Sequence, residues 1–353
     1  MIDSPDKSER RPIVRCAGGS RQRGLAHGEA LRALIRATLA RWLAAIQQAG
    51  WPDPQAYVHD FLQQTDYAAA MTRWTPGLLD EIRGIAEGAA VRFDELFAYN
   101  LLDEEWWFAK NYARPAPGCT VIGWRAGEGD APVLAQTMDI GALYDGAQAV
   151  LHICRDETPE ALVFTFAGMI GLNGCNAAGV GVVVNNLAML PHAPRGLPVA
   201  AVVRGILARR TLGDATAFLR DTPHASGQHY AVGSPEGMLS FECSARGVVQ
   251  HTAATNCILH TNHPLTDHYR SAGSWDNSRA RYDFIAARAG SIRTQADVEA
   301  LLADQSVPVS IVCEPGRTFT FGATSMVLSS PPQFRIAPGP PHISPFIGLS
   351  FDA

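Results

Sequence analysis

Hydrophobic residues in the first third of the chain recur with the period of a helix. Between positions 27 and 48 the large apolar residues follow one another at steps of three, four and one, at Leu31, Leu34, Ile35, Leu39, Trp42, Leu43 and Ile46. This spacing places them on one face of a helix, opposite Arg32 and Arg36. Further helices are predicted at 54–66, after Pro76 and from about Asp94 to Lys110.

After residue 118 the pattern changes to short apolar runs that are typical of strands. Two prolines and a glycine at 113–118 cannot continue a helix, and they mark the change. Apolar and β-branched runs, bounded by Gly, Pro and Asp, predict strands at 119–124, 132–139, 148–155, 161–168, 179–186, 228–234, 237–244, 247–253, 256–261, 309–314, 318–330 and 333–338. Pairs of helices are predicted at 198–209 and 213–221, and again at 277–289 and 295–304.

The order of these elements predicts an α+β fold. Strands come in runs at hairpin spacing and helices come in pairs, which favours antiparallel sheets over alternating βαβ units. For residues 119–353 we expect an α/β/β/α sandwich, in which two antiparallel sheets lie between helix layers. Residues 1–118 would add a helical prefix to this core.

Composition excludes several classes of protein. The 353 residues are 47% hydrophobic and 18% charged, which argues against disorder. The net charge is −5 and the arginines are scattered, so we expect no nucleic-acid partner. No stretch approaches the roughly 18 apolar residues of a membrane span, so we expect no membrane association. The first residues are polar and do not resemble a secretory signal. The seven cysteines are dispersed, which favours a reducing compartment, so we expect a cytoplasmic protein. No Walker loop or dinucleotide fingerprint indicates a cofactor.

Cys119 is the strongest candidate for a chemical role. It opens the first predicted strand where the helical part ends, and it follows Gly118, which hinders attack on the preceding carbonyl least. If the thiol cleaved the Gly118–Cys119 bond, the freed amine, with a pKa of about 7.7–8.0, could take the thiol proton, whose pKa is about 8.5. A buried structural cysteine at the start of a strand is the competing interpretation.

Two histidines invite other interpretations of the same region. His260 and His263 are three positions apart, but the sequence has no HExxH and no CxxC, so we expect no metal site. Either histidine could instead pair with Cys119 in an ordinary Cys–His hydrolase, which would stay uncleaved.

Several segments, in order, resemble one known family: the acyl-coenzyme A:6-aminopenicillanic acid acyltransferase-like members of the N-terminal-nucleophile (Ntn) hydrolases. The matching motifs cover most of the chain, at GGSRQRGLAHGEALRALI (18–35), LLDEIRGIAEGAAVRFDELFAYN (78–100), GCTVIGW (118–124), AQTMDI (135–140), GLNGCNAAGVGVVVNNL (171–187), LHTNHPL (259–265), NSRARYDFI (277–285) and APGPP (337–341). The resemblance implies an Ntn fold and an amidohydrolase or acyltransferase activity.

The resemblance also implies roles for individual residues. Cys119 would be the nucleophile for cleavage of the Gly118–Cys119 bond and for substrate turnover, through a thioester. Asp139 would orient the freed amine, and Asn262 would donate to the oxyanion. The chain would then consist of a propeptide or small subunit, 1–118, and a large catalytic subunit, 119–353, which stay associated as partners.

Departures from the family pattern bear on the substrate. Gln136 stands where some relatives carry arginine, and Phe321 stands where a penicillin acyltransferase would have a basic residue. An apolar or aromatic acyl group is therefore expected, with Trp106, Trp107, Phe108 and Phe321 as candidate pocket residues. The predicted substrate is a small-molecule acyl amide, with the linear amide bond of an N-acyl amine or an N-acyl amino acid. Acyl transfer and a non-enzymatic binding role remain alternatives, and a homo-oligomer is compatible with the sequence.

Overall fold

A computed structural model describes residues 13–109, 118–154, 156–252, 256–313, 316 and 318–351. The first part of the chain is mainly helical, as predicted, and its helices are α1 (Ser20–Ala30), α2 (Arg32–Gln48), α3 (Pro54–Gln63), α4 (Tyr67–Trp74), α5 (Leu78–Ala89), α6 (Phe93–Tyr99) and α7 (Leu102–Phe108). No helix in the described part of the chain is both long and apolar enough to cross a membrane.

The prefix is not entirely helical, which corrects the sequence prediction. A strand, β1 (Ile13–Cys16), precedes α1 and pairs in parallel with β4 (Gln148–Ile153) of the later sheet. Val14 and Cys16 point inward while their neighbours are exposed. Four residues are too short a run for hydrophobic alternation to stand out in the sequence.

Helix α1 also begins earlier than the apolar pattern indicated, and it ends at Ala30. Its inward face is made of small residues, because it crosses α5 at very short range. A Cβ on Gly24 would lie 1.9 Å from the backbone oxygen of Glu81, and one on Gly28 would lie 2.3 Å from that of Ile85. Glycine-to-glycine packing leaves no hydrophobic period to detect.

The remaining strands form two sheets, as predicted. One sheet has the order β1, β4, β5 (Ala161–Phe166), β6 (Asn173–Asn176), β7 (Gly181–Asn186), β8 (Gln228–Ser234), β9 (Gly237–Ser244) and β10 (Gly247–His251). The other has the order β11 (Cys257–His260), β2 (Thr120–Trp124), β3 (Val133–Gly141), β12 (Thr318–Val327), β13 (Gln333–Ala337) and β14 (Ile347–Leu349). Every pairing except β1 with β4 is antiparallel.

Helix pairs cover the outer faces, which completes the predicted α/β/β/α sandwich. Helices α8 (Val199–Leu207) and α9 (Leu212–Asp221) pack on the larger sheet, and α10 (Asp276–Ala289) and α11 (Gln295–Leu302) pack on the smaller one. The predicted strand at 309–314 is wrong: over 309–313 the chain is a loop, in which Ile311 and Val312 are buried and their amides donate to the Asp304 carbonyl. Strand β14 was not predicted.

The helical prefix and the sandwich share one hydrophobic core. A buried ion pair also joins them, because Arg204 of α8 reaches Glu81 of α5 with N–O distances of 2.6 and 2.9 Å. Breaking such a pair would leave a buried charge without compensation. The prefix is therefore held to the core by packing and by a charged contact.

Candidate active site

Cys119 lies immediately before β2, between the two sheets. Its carbonyl oxygen accepts a hydrogen bond from Asn185 Nδ2 of β7 at 2.9 Å. Its sulfur lies 3.6 Å from Met138 Sδ and accepts from the backbone N–H of Asp139 at 3.5 Å. The pairing of β2 with β3 thus brings the candidate nucleophile next to Asp139, as the motifs predicted.

Burial changes the acidity of both groups. Burial, and next to it the charge of Asp139, raise the pKa of the Cys119 thiol to about 12. Burial likewise raises the pKa of Asp139 to about 7, against the opposing effects of Arg281 and of a hydrogen bond from Thr320. The thiol therefore needs a base to react near neutral pH, and Asp139 changes its charge in that range.

One oxygen of Asp139 is left free. Oδ1 accepts from the Thr320 hydroxyl at 2.7 Å, whereas Oδ2 is buried with no hydrogen-bond partner among the described residues. A buried acceptor without a donor is costly, and it is unusual in a folded protein. Asp139 can therefore receive one further donor.

The guanidinium of Arg281 organises the other side of Cys119. Arg281, from α10, is 2% exposed. Its Nη1 donates to the carbonyl oxygen of Cys119 and to Thr120 Oγ1, both at 2.9 Å, and its Nη2 donates to Asn262 Oδ1 at 3.1 Å. The planar fork fixes these three groups relative to one another.

Asn262 is oriented by these contacts as a donor. Because Arg281 donates to Oδ1, the amide nitrogen must point the other way, and Nδ2 donates to the Asn186 carbonyl at 3.0 Å. Its backbone N–H donates to Ser278 Oγ at 2.8 Å. Among the described residues the second N–H of the side-chain amide has no acceptor.

Gly118 packs directly on the Asn262 side chain. A Cβ at position 118 would lie 2.2 Å from Asn262 Oδ1 and 2.5 Å from its Cγ. No side chain fits there without moving Asn262. The bond between Gly118 and Cys119 is thus flanked by Asp139 and Asn262, so the three predicted catalytic residues converge.

Arg281 and Asn185 were not predicted as site residues. Both contact the Cys119 carbonyl, from elements distant in sequence, and Asn185 Oδ1 is held in turn by His229 Nδ1 at 3.0 Å. The Ser-x-x-Arg spacing of Ser278 and Arg281 was the available signal, since it places both on one turn of a helix.

The four candidate pocket aromatics have different surroundings. Phe321 has no accessible surface and lies in the core against Phe164, with ring centroids 5.4 Å apart. Phe108 packs on Phe61 of α3, and the half-buried Trp107 stacks on His192. Trp106 is half-buried. Phe321, Phe108 and Trp107 thus have different ring partners among the described residues, and the contact of all four aromatics with a substrate stays a prediction.

His260 and His263 have partners away from Cys119. His260 Nε2 lies 3.1 Å from Glu242 Oε1, and His263 Nδ1 lies 2.8 Å from Ser278 Oγ. Neither ring is hydrogen-bonded to the sulfur within the part of the chain that the structure describes. Among the same residues, no three His, Cys, Asp or Glu side chains are grouped so that they could hold a metal ion.

Known proteins similar in sequence to this chain belong to the family that its motifs resemble. Residues 124–331 match the family described as acyl-coenzyme A:6-aminopenicillanic acid acyl-transferase. The 40 kDa form of the acyl-coenzyme A:6-aminopenicillanic-acid-acyltransferase of Emericella nidulans is 28% identical over 261 residues, 73% of this chain and 71% of that protein. A conjugated bile acid hydrolase from Clostridium perfringens, solved as a mutant, superposes with a TM-score of 0.51 at 11% identity, over 66% of this chain and 92% of that one. The last likeness shows a shared Ntn-hydrolase fold.

Proposed function

Because the chain belongs to the acyl-coenzyme A:6-aminopenicillanic acid acyl-transferase family, we propose that it is a self-processing amidohydrolase whose nucleophile is Cys119. The observation that carries the proposal is the convergence of Cys119, Asp139 and Asn262 on the Gly118–Cys119 bond. Cleavage of the Gly118–Cys119 bond would give a small subunit, 1–118, and a large subunit, 119–353, which the shared core would keep together.

Self-cleavage would proceed through a thioester. The sulfur of Cys119 attacks the carbonyl carbon of Gly118, the bond from that carbon to the Cys119 nitrogen breaks, and the thiol proton ends on the freed amine. Water then adds to the thioester, which releases the Gly118 carboxylate and restores the thiol. The tight contact of Gly118 with Asn262 supports a donor role for this amide during the attack.

Asp139 would serve in both reactions. In the intact chain no amine is free at Cys119, and Asp139, with a pKa raised to about 7, can remove the proton of the adjacent thiol. After cleavage the new amine can donate to Oδ2, the oxygen that lacks a partner among the described residues. The carboxylate would stabilise the ammonium that forms when the neutral amine takes the thiol proton, so the amine takes over as the base.

Turnover would repeat the same chemistry on a substrate. The Cys119 amine accepts the thiol proton, the sulfur attacks the substrate carbonyl, and the oxyanion receives the free N–H of Asn262. The amine then protonates the leaving nitrogen, and water hydrolyses the acyl-cysteine thioester. A second amine in place of water would give acyl transfer, and the naming of the Emericella nidulans relative as an acyltransferase favours this second candidate.

The test is a panel of acyl amides incubated with the purified protein. We expect at least one amide to add its acyl mass to the Cys119 peptide and to release its amine, with the acyl group appearing as the free acid. If a supplied amine captures the acyl group faster than water does, the chain is chiefly an acyltransferase. Ligand binding without any acylation of Cys119 would instead indicate a binding protein and refute the proposal.

A further inference from the structure

The first turn of helix α7 carries three consecutive acidic residues. These are Asp103, Glu104 and Glu105, and burial raises the pKa of each, to about 7 for the two glutamates. Within the described part of the chain, none of the three forms an ion pair with a basic residue. Carboxylates that are buried without a cation are unfavourable unless a partner arrives.

Asp103 is connected directly to the site. Gln228 Nε2 donates to its Oδ2 at 2.6 Å, and the Asn186 side chain acts to lower the pKa of the carboxyl. The backbone oxygen of Asn186 accepts from Asn262 Nδ2 at 3.0 Å. The charge of Asp103 also acts on Cys119, whose thiol pKa it helps to raise. Asp103 is therefore next to the candidate oxyanion donor and within electrostatic reach of the sulfur.

The residues around Asp103 have acceptor oxygens left over. Gln228 must turn its nitrogen to the Asp103 carboxylate, so its Oε1 is an acceptor, and this oxygen has no hydrogen-bond partner among the described residues. The same is true of Asn186 Oδ1 and Glu104 Oε2. Gln228 and Glu104 are both 0% exposed, so bulk water does not reach these oxygens in the intact chain, and a ligand would approach from the side of the half-buried Asp103.

A ligand that suits this cluster must bring donors and positive charge. Asp103 is half-buried rather than sealed, so a small group can approach it. A primary ammonium has three N–H donors, and next to a carboxylate it forms the stronger, charge-assisted kind of hydrogen bond. An anionic or purely apolar group would leave the acceptors unsatisfied.

We propose that Asp103, with Asn186 and Gln228, binds a cationic amine of the substrate. The inference rests on the proposed function and narrows it: the favoured substrates are acyl amides that carry an ammonium a few bonds from the scissile carbonyl. The ammonium can belong to the acyl group or to the amine. This replaces a purely apolar or aromatic acyl group as the expected substrate.

A first experiment probes the charge around Cys119 without substrate turnover. The purified protein is treated with 2-ammonioethyl methanethiosulfonate or with its 2-sulfonatoethyl analogue, and modification of Cys119 is followed by peptide mass. We expect wild type to favour the cationic reagent, and Asp103→Asn to reduce that preference about tenfold to a hundredfold. Asp60→Asn, which removes the same charge from an exposed position on α3, should keep the wild-type ratio.

The second experiment compares isosteric substrates. β-Alanyl-p-nitroanilide is set against butyryl-p-nitroanilide for the acyl side, and N-butyryl-1,2-diaminoethane against N-propylbutyramide for the amine side. A higher kcat/KM for one cationic member, lost in Asp103→Asn chiefly through KM, supports the proposal and assigns the side.

Equal turnover of charged and neutral substrates would overturn the ammonium site and leave the amidohydrolase intact. A preference for the sulfonate reagent, or one that Asp103→Asn does not alter, would also overturn it. Failure of every amide to acylate Cys119, with the cationic preference of the reagents preserved, would instead count against the proposed function.

Discussion

Two charged groups act on Cys119, the buried Arg281 and the half-buried Asp103, and their hydrogen-bond partners differ. The Arg281 guanidinium donates to the Cys119 carbonyl, to Asn262 and to two further side-chain oxygens, on Thr120 and Asn277. Around Asp103, by contrast, acceptor oxygens outnumber the donors that the described residues supply. A charged group whose hydrogen bonds are made within the protein holds its neighbours in a fixed geometry. A charged group whose neighbours lack hydrogen-bond donors is suited to bind a ligand that brings them.

This difference predicts different kinetic consequences. Substitutions of Arg281 or of the residues that it hydrogen-bonds should lower kcat for every substrate, because they displace the nucleophile and the oxyanion donor. Changes at Asp103 should alter the discrimination between charged and neutral substrates. If both kinds of variant changed the rate and the discrimination between charged and neutral substrates in the same way, the different roles of Arg281 and Asp103 would be refuted.

The largest effect is expected for Asp139→Asn. The amide cannot take a proton from the thiol and cannot pair with a charged amine, so self-cleavage and turnover should each fall about 10³-fold. Self-cleavage is followed by gel electrophoresis over time and turnover by release of amine. Near-normal rates would remove Asp139 from the reaction, and Asp60→Asn is the control for loss of charge alone.

The pH dependence of self-cleavage sharpens the same prediction. Because the raised pKa of Asp139 is about 7 in the intact chain, its carboxylate is progressively protonated as the pH falls through that value. The rate of wild-type cleavage should therefore decline below about pH 7. The residual rate of Asp139→Asn should show no such decline.

A smaller loss is expected for Asn262→Ala. Removing the amide takes away the proposed oxyanion donor and leaves Arg281 Nη2 without that acceptor, so kcat should fall about 10²–10³-fold with little change in KM. Asn256→Ala, at an exposed position, should behave like wild type. A tenfold or smaller loss at Asn262 would count against the oxyanion role.

Much of the fold was predictable from periodicity because its strands are short apolar runs between glycine and proline breaks. Strands β2 and β3 were predicted to within two residues of their observed ends. Helix α1 was not, since its packing on α5 uses glycines rather than apolar side chains. Strand β1 lies far from its partner in sequence, and no local pattern could indicate that pairing.

The site likewise has residues that the sequence predicted and residues that only the structure reveals. Cys119, Asp139 and Asn262 could be named because each stands in a short motif of the family. Arg281 lies 162 positions from Cys119, and its role depends on burial and on the direction of its guanidinium. The unmet acceptors near Asp103 depend on which neighbours supply donors. Such properties belong to the folded chain and have no counterpart in a local sequence pattern.

In the proposed mechanism, cleavage frees the amine of Cys119 to act as the base for its own sulfur. The most direct measurement is the intact mass and N-terminal sequence of purified protein, taken together with its specific activity. We expect active wild type to consist of two chains, the larger beginning at Cys119, and Cys119→Ala to remain a single inactive chain of 37.9 kDa. A fully active wild type that keeps the Gly118–Cys119 bond would refute this mechanism.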